Sequence, residues 1–153
     1  MKSLVSIILL SLILTNCGFK PIYSSKGSSF EVLDFKNKNE NKNSFFIENV
    51  IMSLSNENAE KKIKLEVDYK KSITTILKDN KGDPSKKKLS VNVIIIVKNE
   101  RDNILINQNF NEDFSYDVQS DKFGMTQYEE NITDNLNSKI SNDIIFLLGT
   151  LKW

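Results

Sequence analysis

Five lysines, Lys78, Lys81, Lys86, Lys87 and Lys88, gather around Gly82-Asp83-Pro84-Ser85. That turn separates two strongly alternating apolar stretches, so the ammonium groups sit at a hairpin tip. As point charges there they could engage phosphates or acidic sugars. Composition supplies the competing reading, a solvated loop: Arg101 is the sole arginine, and lysine, asparagine and isoleucine abound throughout the chain. Other chemistry is sparse. There is no histidine and one cysteine, Cys17, which excludes Ser-His-Asp and Cys-His catalysis, imidazole metal sites and an internal disulfide. Glu66 and Asp68 share the wet face of a strand, and Glu129 and Glu130 stand at a helix start, where the dipole favours negative charge. Both pairs read as solvated charges. With 21 cations against 20 carboxylates the chain has no field suited to nucleic acid, and no metal or cofactor is expected.

The elements that must position these residues follow from periodicity. Phe30, Val32 and Phe35 suggest a short first strand, ended by the polar run from Lys36 to Asn43. Phe46, Ile47, Val50, Ile51 and Leu54 then form one stripe of a helix beginning near Ser44, a natural N-cap. Ile63, Leu65, Val67 and Tyr69 alternate with charged residues, the period of a strand buried on one face, and the strand continues through Ile76. Leu89, Val91, Val93, Ile95 and Val97 alternate again, with Ile94 and Ile96 making the far end apolar on both faces, as an interior strand would be. Ile104 to Val118 is either one irregular strand or two shorter ones.

Thr126 and Glu129 match a capping box, and from there Tyr128, Ile132, Leu136, Ile140, Ile144 and Leu147 mark the apolar stripe of a helix roughly 33 Å long that stops at Gly149. A hydrophobic fraction of 39% over 153 residues supports one domain, spanning 30–153. The element order predicts an α+β fold, two helices packed on one face of a mostly antiparallel sheet of about four strands. Its core is expected to include Phe46, Val50, Ile51, Leu65, Val67, Val91, Val93 and Ile95 beside the long helix.

The N-terminus has a different character. Lys2 precedes an eleven-residue apolar run from Leu4 to Leu14, too short to span a bilayer and matching a signal-peptide core. Leu14-Thr15-Asn16-Cys17 resembles the lipobox of bacterial lipoproteins, where the cysteine thiol is lipidated and the peptide is cut before it. Residues 1–16 are then the signal peptide and 17–29, ending in Ser24-Ser25-Lys26-Gly27-Ser28-Ser29, the lipidated tether. Gly18, not Asp, follows the cysteine, which by the same resemblance implies the outer membrane. Removing Lys2 leaves 20 cations against 20 carboxylates.

Cys17-Gly18-Phe19-Lys20-Pro21-Ile22-Tyr23 is similar to the mature start of the LPS-assembly lipoproteins (the LptE family), in the form found in alphaproteobacteria. The Phe114-Ser115-Tyr116 region leading into a long terminal helix resembles that family as well. The resemblance implies a non-enzymatic plug inside a large LptD-like outer-membrane β-barrel. It also implies help in that barrel's assembly and binding of lipopolysaccharide, for which Lys78, Lys81, Lys86, Lys87 and Lys88 are the candidate contacts. Two other roles fit the bare sequence. One is an envelope lipoprotein acting as a periplasmic chaperone or transport adaptor. The other is a hydrolase using only carboxylates, which needs two acids facing across a cleft about 5 to 9.5 Å wide. Intact mass should show a mature chain beginning at a lipidated Cys17, and Cys17→Ser should release the protein from membranes; an unmodified Cys17 would overturn the anchor.

Overall fold

The computed structural model describes residues 29–151. The expected signal peptide, Cys17 and all of the expected tether but Ser29 lie outside the described residues. Six elements follow in order: β1 (Phe30–Asn37), α1 (Lys42–Met52), β2 (Lys61–Lys78), β3 (Pro84–Lys98), β4 (Ile104–Asp117) and α2 (Lys122–Thr150). The strands form one sheet in the order β1-β2-β3-β4. Both hairpin pairs are antiparallel, while β1 lies parallel to β2 because α1 intervenes as a crossover. This is the expected α+β arrangement, and the segment from Ile104 proves to be a single strand.

The alternation in β2 and β3 places every odd residue from Ile63 to Tyr69 and from Leu89 to Val97 on the face that both helices cover, and all of these are buried. α2 contributes Ile132, Leu136, Ile140, Ile144 and Leu148 to that core, with Leu147 only half-buried and Tyr128 exposed at the ends of its expected stripe, and α1 contributes Ile47 and Ile51. Phe46 packs at the margin and Val50 is half-buried, so the contact face of α1 is rotated from the centre assigned by its apolar stripe. The rotation is enforced by Ser44, which is wholly buried and shares the Ile47–Ile51 face.

Ser44 is not the N-cap. Asn41 is, its Oδ1 accepting from the amides of Asn43 and Ser44 at 3.0 and 3.1 Å, while the Ser44 hydroxyl accepts from the Asn41 amide at 3.0 Å. Asn41 and Ser44 thus form a capping box, and the cap lies three residues before the expected one. α2 likewise begins one turn before Thr126. Asp121 caps it by accepting from the Phe123 amide at 3.1 Å, and the Thr126 hydroxyl donates instead to the Lys122 carbonyl within the helix. The earlier start brings Met125 into the core. Gly149 does not stop the helix, which runs on through Thr150 to a C-cap at Leu151, whose carbonyl accepts from Lys61 Nζ at 3.0 Å. At 29 residues the helix is about 43 Å long.

A polar seam joins the layers. Tyr69 donates its hydroxyl hydrogen to Asn137 Oδ1 at 2.9 Å, and Asn137 Nδ2 donates to Asn43 Oδ1 at 3.2 Å, linking β2, α2 and α1. Burial pushes the Tyr69 hydroxyl up to about 12, against the opposing influence of the Asn137 bond, so it remains a donor. Ile47→Ala should cost about 3 kcal/mol and Val50→Ala less than about 1 kcal/mol, measured by urea unfolding, because only Ile47 leaves a closed cavity. Equal losses would contradict the rotated face.

Candidate functional site

The lysine hairpin closes through Asp79-Asn80-Lys81-Gly82-Asp83. Asp79 Oδ1 accepts from the amides of Lys81 and Asp83 at 2.8 and 2.9 Å, and Gly82 takes a φ of +87°, where glycine is unstrained. The hairpin Asn99-Glu100-Arg101-Asp102-Asn103 repeats this turn, with Asn99 accepting from Arg101 and Asn103 and with Asp102 in the left-handed position. Pro84 opens β3, where it disturbs the ladder least.

The two-residue period of β3 then divides the lysines. Lys86 and Lys88 stand on the open face of the sheet, opposite Asp117 and Ser115 of β4. Lys87 points the other way, beneath α2, where its Nζ lies 3.6 Å from Glu129 Oε1. The same carboxylate oxygen accepts from the Tyr116 hydroxyl at 2.5 Å, and the Tyr116 ring meets Tyr128 edge to face at 5.9 Å. Burial, then the bond to Glu129, pushes the Tyr116 hydroxyl well above the usual phenol range, which keeps it protonated and donating. Glu129 is thus not the solvated charge expected of it; it ties β3 and β4 to the first turns of α2. Glu66 is also engaged, its carboxylate held below the ordinary range chiefly by the bond from Lys98 Nζ at 2.5 Å.

Lys78 and Lys81 are exposed, and Lys86 and Lys88 half-exposed; among the described residues none of these four has an ion-pair partner. Beside them the tip carries apolar surface that sequence reasoning missed. Ile76 and Leu77 are 45% and 56% exposed, Leu77 lying across the ladder from Lys86, and Phe123 at the start of α2 is 81% exposed. The available signal was length: β2 has 18 residues, more than α1 can cover with 11. Between the hairpin and α2 runs a groove of about 530 Å³, with Val118 and Met125 as its apolar lining and Lys87, Lys122, Asp83 and Glu129 at its rim. The tip therefore offers free ammonium groups and exposed aliphatic surface on one end of the molecule, the two contacts an amphipathic anion requires.

The fold is shared with solved bacterial lipoproteins. Rare lipoprotein B from Shewanella oneidensis superposes with a TM-score of 0.61 at 10% identity, over 78% of this chain and 95% of that one. A minor lipoprotein from Acinetobacter baumannii gives 0.60 at 11% identity, over 78% and 90%. Lipoprotein B from Nitrosomonas europaea gives 0.59 at 13% identity, over 80% and 87%. At these identities the likeness is one of fold. No protein-family model matches the sequence, and no curated protein matches it closely.

Tyr116→Phe should cost about 1 to 2 kcal/mol by leaving Glu129 short of a donor. Because the folded-state value of Tyr116 lies above the unfolded value of about 10, its contribution is complete below that pH and is lost as the pH climbs through the folded value. Urea midpoints measured near neutrality and above about pH 10 should fall less steeply for Tyr116→Phe than for the wild type.

Proposed function

We infer that the protein is a lipid-anchored lipoprotein of the outer membrane that plugs and assists a large LptD-like β-barrel and binds lipopolysaccharide. The observation that carries this reading is the fold in common with rare lipoprotein B over most of both chains. The Cys17-Gly18-Phe19-Lys20-Pro21-Ile22-Tyr23 start, similar to that of the LPS-assembly lipoproteins, adds to it. A plug needs no nucleophile, and a chain without histidine is poorly equipped to supply one.

Two physical features suit the role. The open face of the sheet presents Ser72, Thr74, Ser90, Asn92, Asn107, Asn109 and Asn111 among charged residues such as Glu66, Asp68, Lys70, Lys98 and Asp113, around Ile94 and Ile96, with Asn92 donating to Asn109 at 2.7 Å. Such a face is compatible with the polar interior of a β-barrel. The hairpin tip pairs free lysines with Ile76 and Leu77, matching a lipid that carries phosphate or acidic sugar beside acyl chains. Lys78, Lys81, Lys86 and Lys88 are its contacts, while Lys87 is committed to Glu129.

Tagged protein purified from membranes should bring a large β-barrel with it, and depletion should lower the amount of correctly assembled barrel; the absence of both effects would overturn the plug. Replacing Lys81, Lys86 and Lys88 by Ser should change stability by less than about 1 kcal/mol yet weaken lipopolysaccharide binding roughly tenfold at low salt. Wild type and variant should converge as the Debye length falls from about 10 Å at 0.1 M to about 3 Å at 1 M. Equal affinities at low salt would remove the hairpin from lipid recognition.

A further inference from the structure

β4 is one edge of the sheet along its whole length. The Val118 amide donates to the Ser85 carbonyl at 2.9 Å, and the register runs unbroken from Asp117 opposite Lys86 to Ile106 opposite Val97. In a strand the N–H and C=O of one residue share a side and alternate with those of the next. The even residues of β4 therefore bond to β3, and the N–H and C=O of Asn107, Asn109, Asn111, Asp113 and Ser115 point away from it. Among the described residues no strand meets them. A second open edge lies where β2 outruns β1. The Val67 carbonyl accepts from the Lys38 amide at 2.8 Å, so beyond it the outward groups are those of Lys71, Ile73 and Thr75.

The two edges differ in protection. Lys70, Lys71 and Lys78 guard the far part of β2, whereas no lysine, arginine or proline occurs between Ile104 and Asp121. The charge that β4 turns toward the helices, Glu112, is held by Lys139 of α2 at 2.7 Å. The Tyr128 ring meets Tyr116, so Tyr128 and Lys139, about three turns apart, place that side of α2 above β4. Phe146 stands about two turns further along the same side. Tyr128, Phe146 and, from β4, Phe114 are exposed, and Ile106 and Phe110 are only partly buried. Among the described residues, the margin between α2 and β4 is thus apolar and uncovered. The geometry points to an extended segment of another protein as a fifth strand on β4, with apolar side chains toward α2 and a cation on the open face beside Asp113.

Two observations select this occupant. An added strand bonds through its main chain and presents alternate side chains to opposite faces. On β4 every second residue of the newcomer meets Phe110, Phe114 and Tyr128, which accept apolar groups, and the others lie beside Asn109, Asn111 and Asp113 on the open face. Asp113 is exposed and sits across the ladder from Ser90, whereas Asp117 sits across from Lys86, so Asp113 is the acid of β4 that a cation best completes. The β2 edge repels such a segment with its own lysines. This pairing does not depend on the barrel reading.

The test uses the full chain in detergent and, as probe, a capped peptide of about nine residues that alternates threonine with valine and carries lysine in place of the central threonine. Titration calorimetry measures its affinity and amide hydrogen exchange locates it. Exchange at the Asn109, Asn111 and Asp113 amides should slow roughly tenfold when the peptide is added. Asn111→Pro removes an outward N–H that β3 does not use, and should abolish binding with unchanged circular dichroism. Asp113→Lys should weaken the peptide roughly fivefold and strengthen a glutamate-centred version by a similar factor. A peptide that protects Lys71, Ile73 and Thr75 instead, or none of these amides, overturns the inference. So does binding that survives Asn111→Pro or is indifferent to the charge reversal at Asp113. Protection of the β4 amides without peptide also overturns it: a second copy would then hold the edge if protection rises with concentration, and residues 1–28 of the same chain if it does not.

Discussion

The odd-numbered face of β3 is the surface on which the rest of the domain is laid. Leu89, Val91, Val93, Ile95 and Val97 are all fully buried, with β2 and β4 on either side and α2 across them. The hydrophobic gain from covering that face is what holds a 29-residue helix flat against the sheet. Once α2 is docked, its polar residues acquire fixed partners. Asn137 receives Tyr69, Thr133 receives Lys71 at 3.3 Å, and Glu129 receives Tyr116 and faces Lys87. These buried or half-buried bonds add little net energy individually, but an unsatisfied partner would be costly, so they set the position of the helix along the sheet.

With two helices on one face, the second face has no packed layer among the described residues. Ile94 and Ile96 are half-buried there, amid asparagine, serine and the Lys98–Glu66 pair. The same division governs the lysine hairpin. A strand cannot present three consecutive side chains to one side, so Lys87 goes to the helix face and becomes structural, while Lys86 and Lys88 stay on the open face with no fixed counter-ion among the described residues. A cluster that is continuous in sequence is thus two groups in space.

The mismatch in strand length has the opposite effect, leaving backbone instead of side chains unsatisfied. β1 has 8 residues and β2 has 18, so among the described residues the far half of β2 has a neighbour on one side only. The aliphatic residues exposed at the tip and the outward amides of Lys71, Ile73 and Thr75 are two consequences of that one difference.

Strand alternation, the helical stripe of α2, the hairpin turn at Asp79 to Asp83 and the order of elements were legible in the sequence, because each is set by residues a few positions apart. The two-helix, four-strand α+β arrangement followed from them. Helix starts were not: Ser44 and Thr126 have the right chemistry for caps, but Asn41 and Asp121 offer earlier ones, and the choice depends on whether the added turn can bury a residue such as Met125. The face of α1 was misplaced for the same reason, since Ile47 and Val50 are equally apolar and only the docked neighbour distinguishes them. The five lysines of the candidate site were visible as a cluster. Their division, the engagement of Glu129 by Lys87 and Tyr116, and the edge of β2 left open among the described residues arise from contacts between residues 13 to 42 positions apart or from a strand that ends too soon. Local periodicity carries no information about either, because a residue's final partner is decided by which competing surface packs against it.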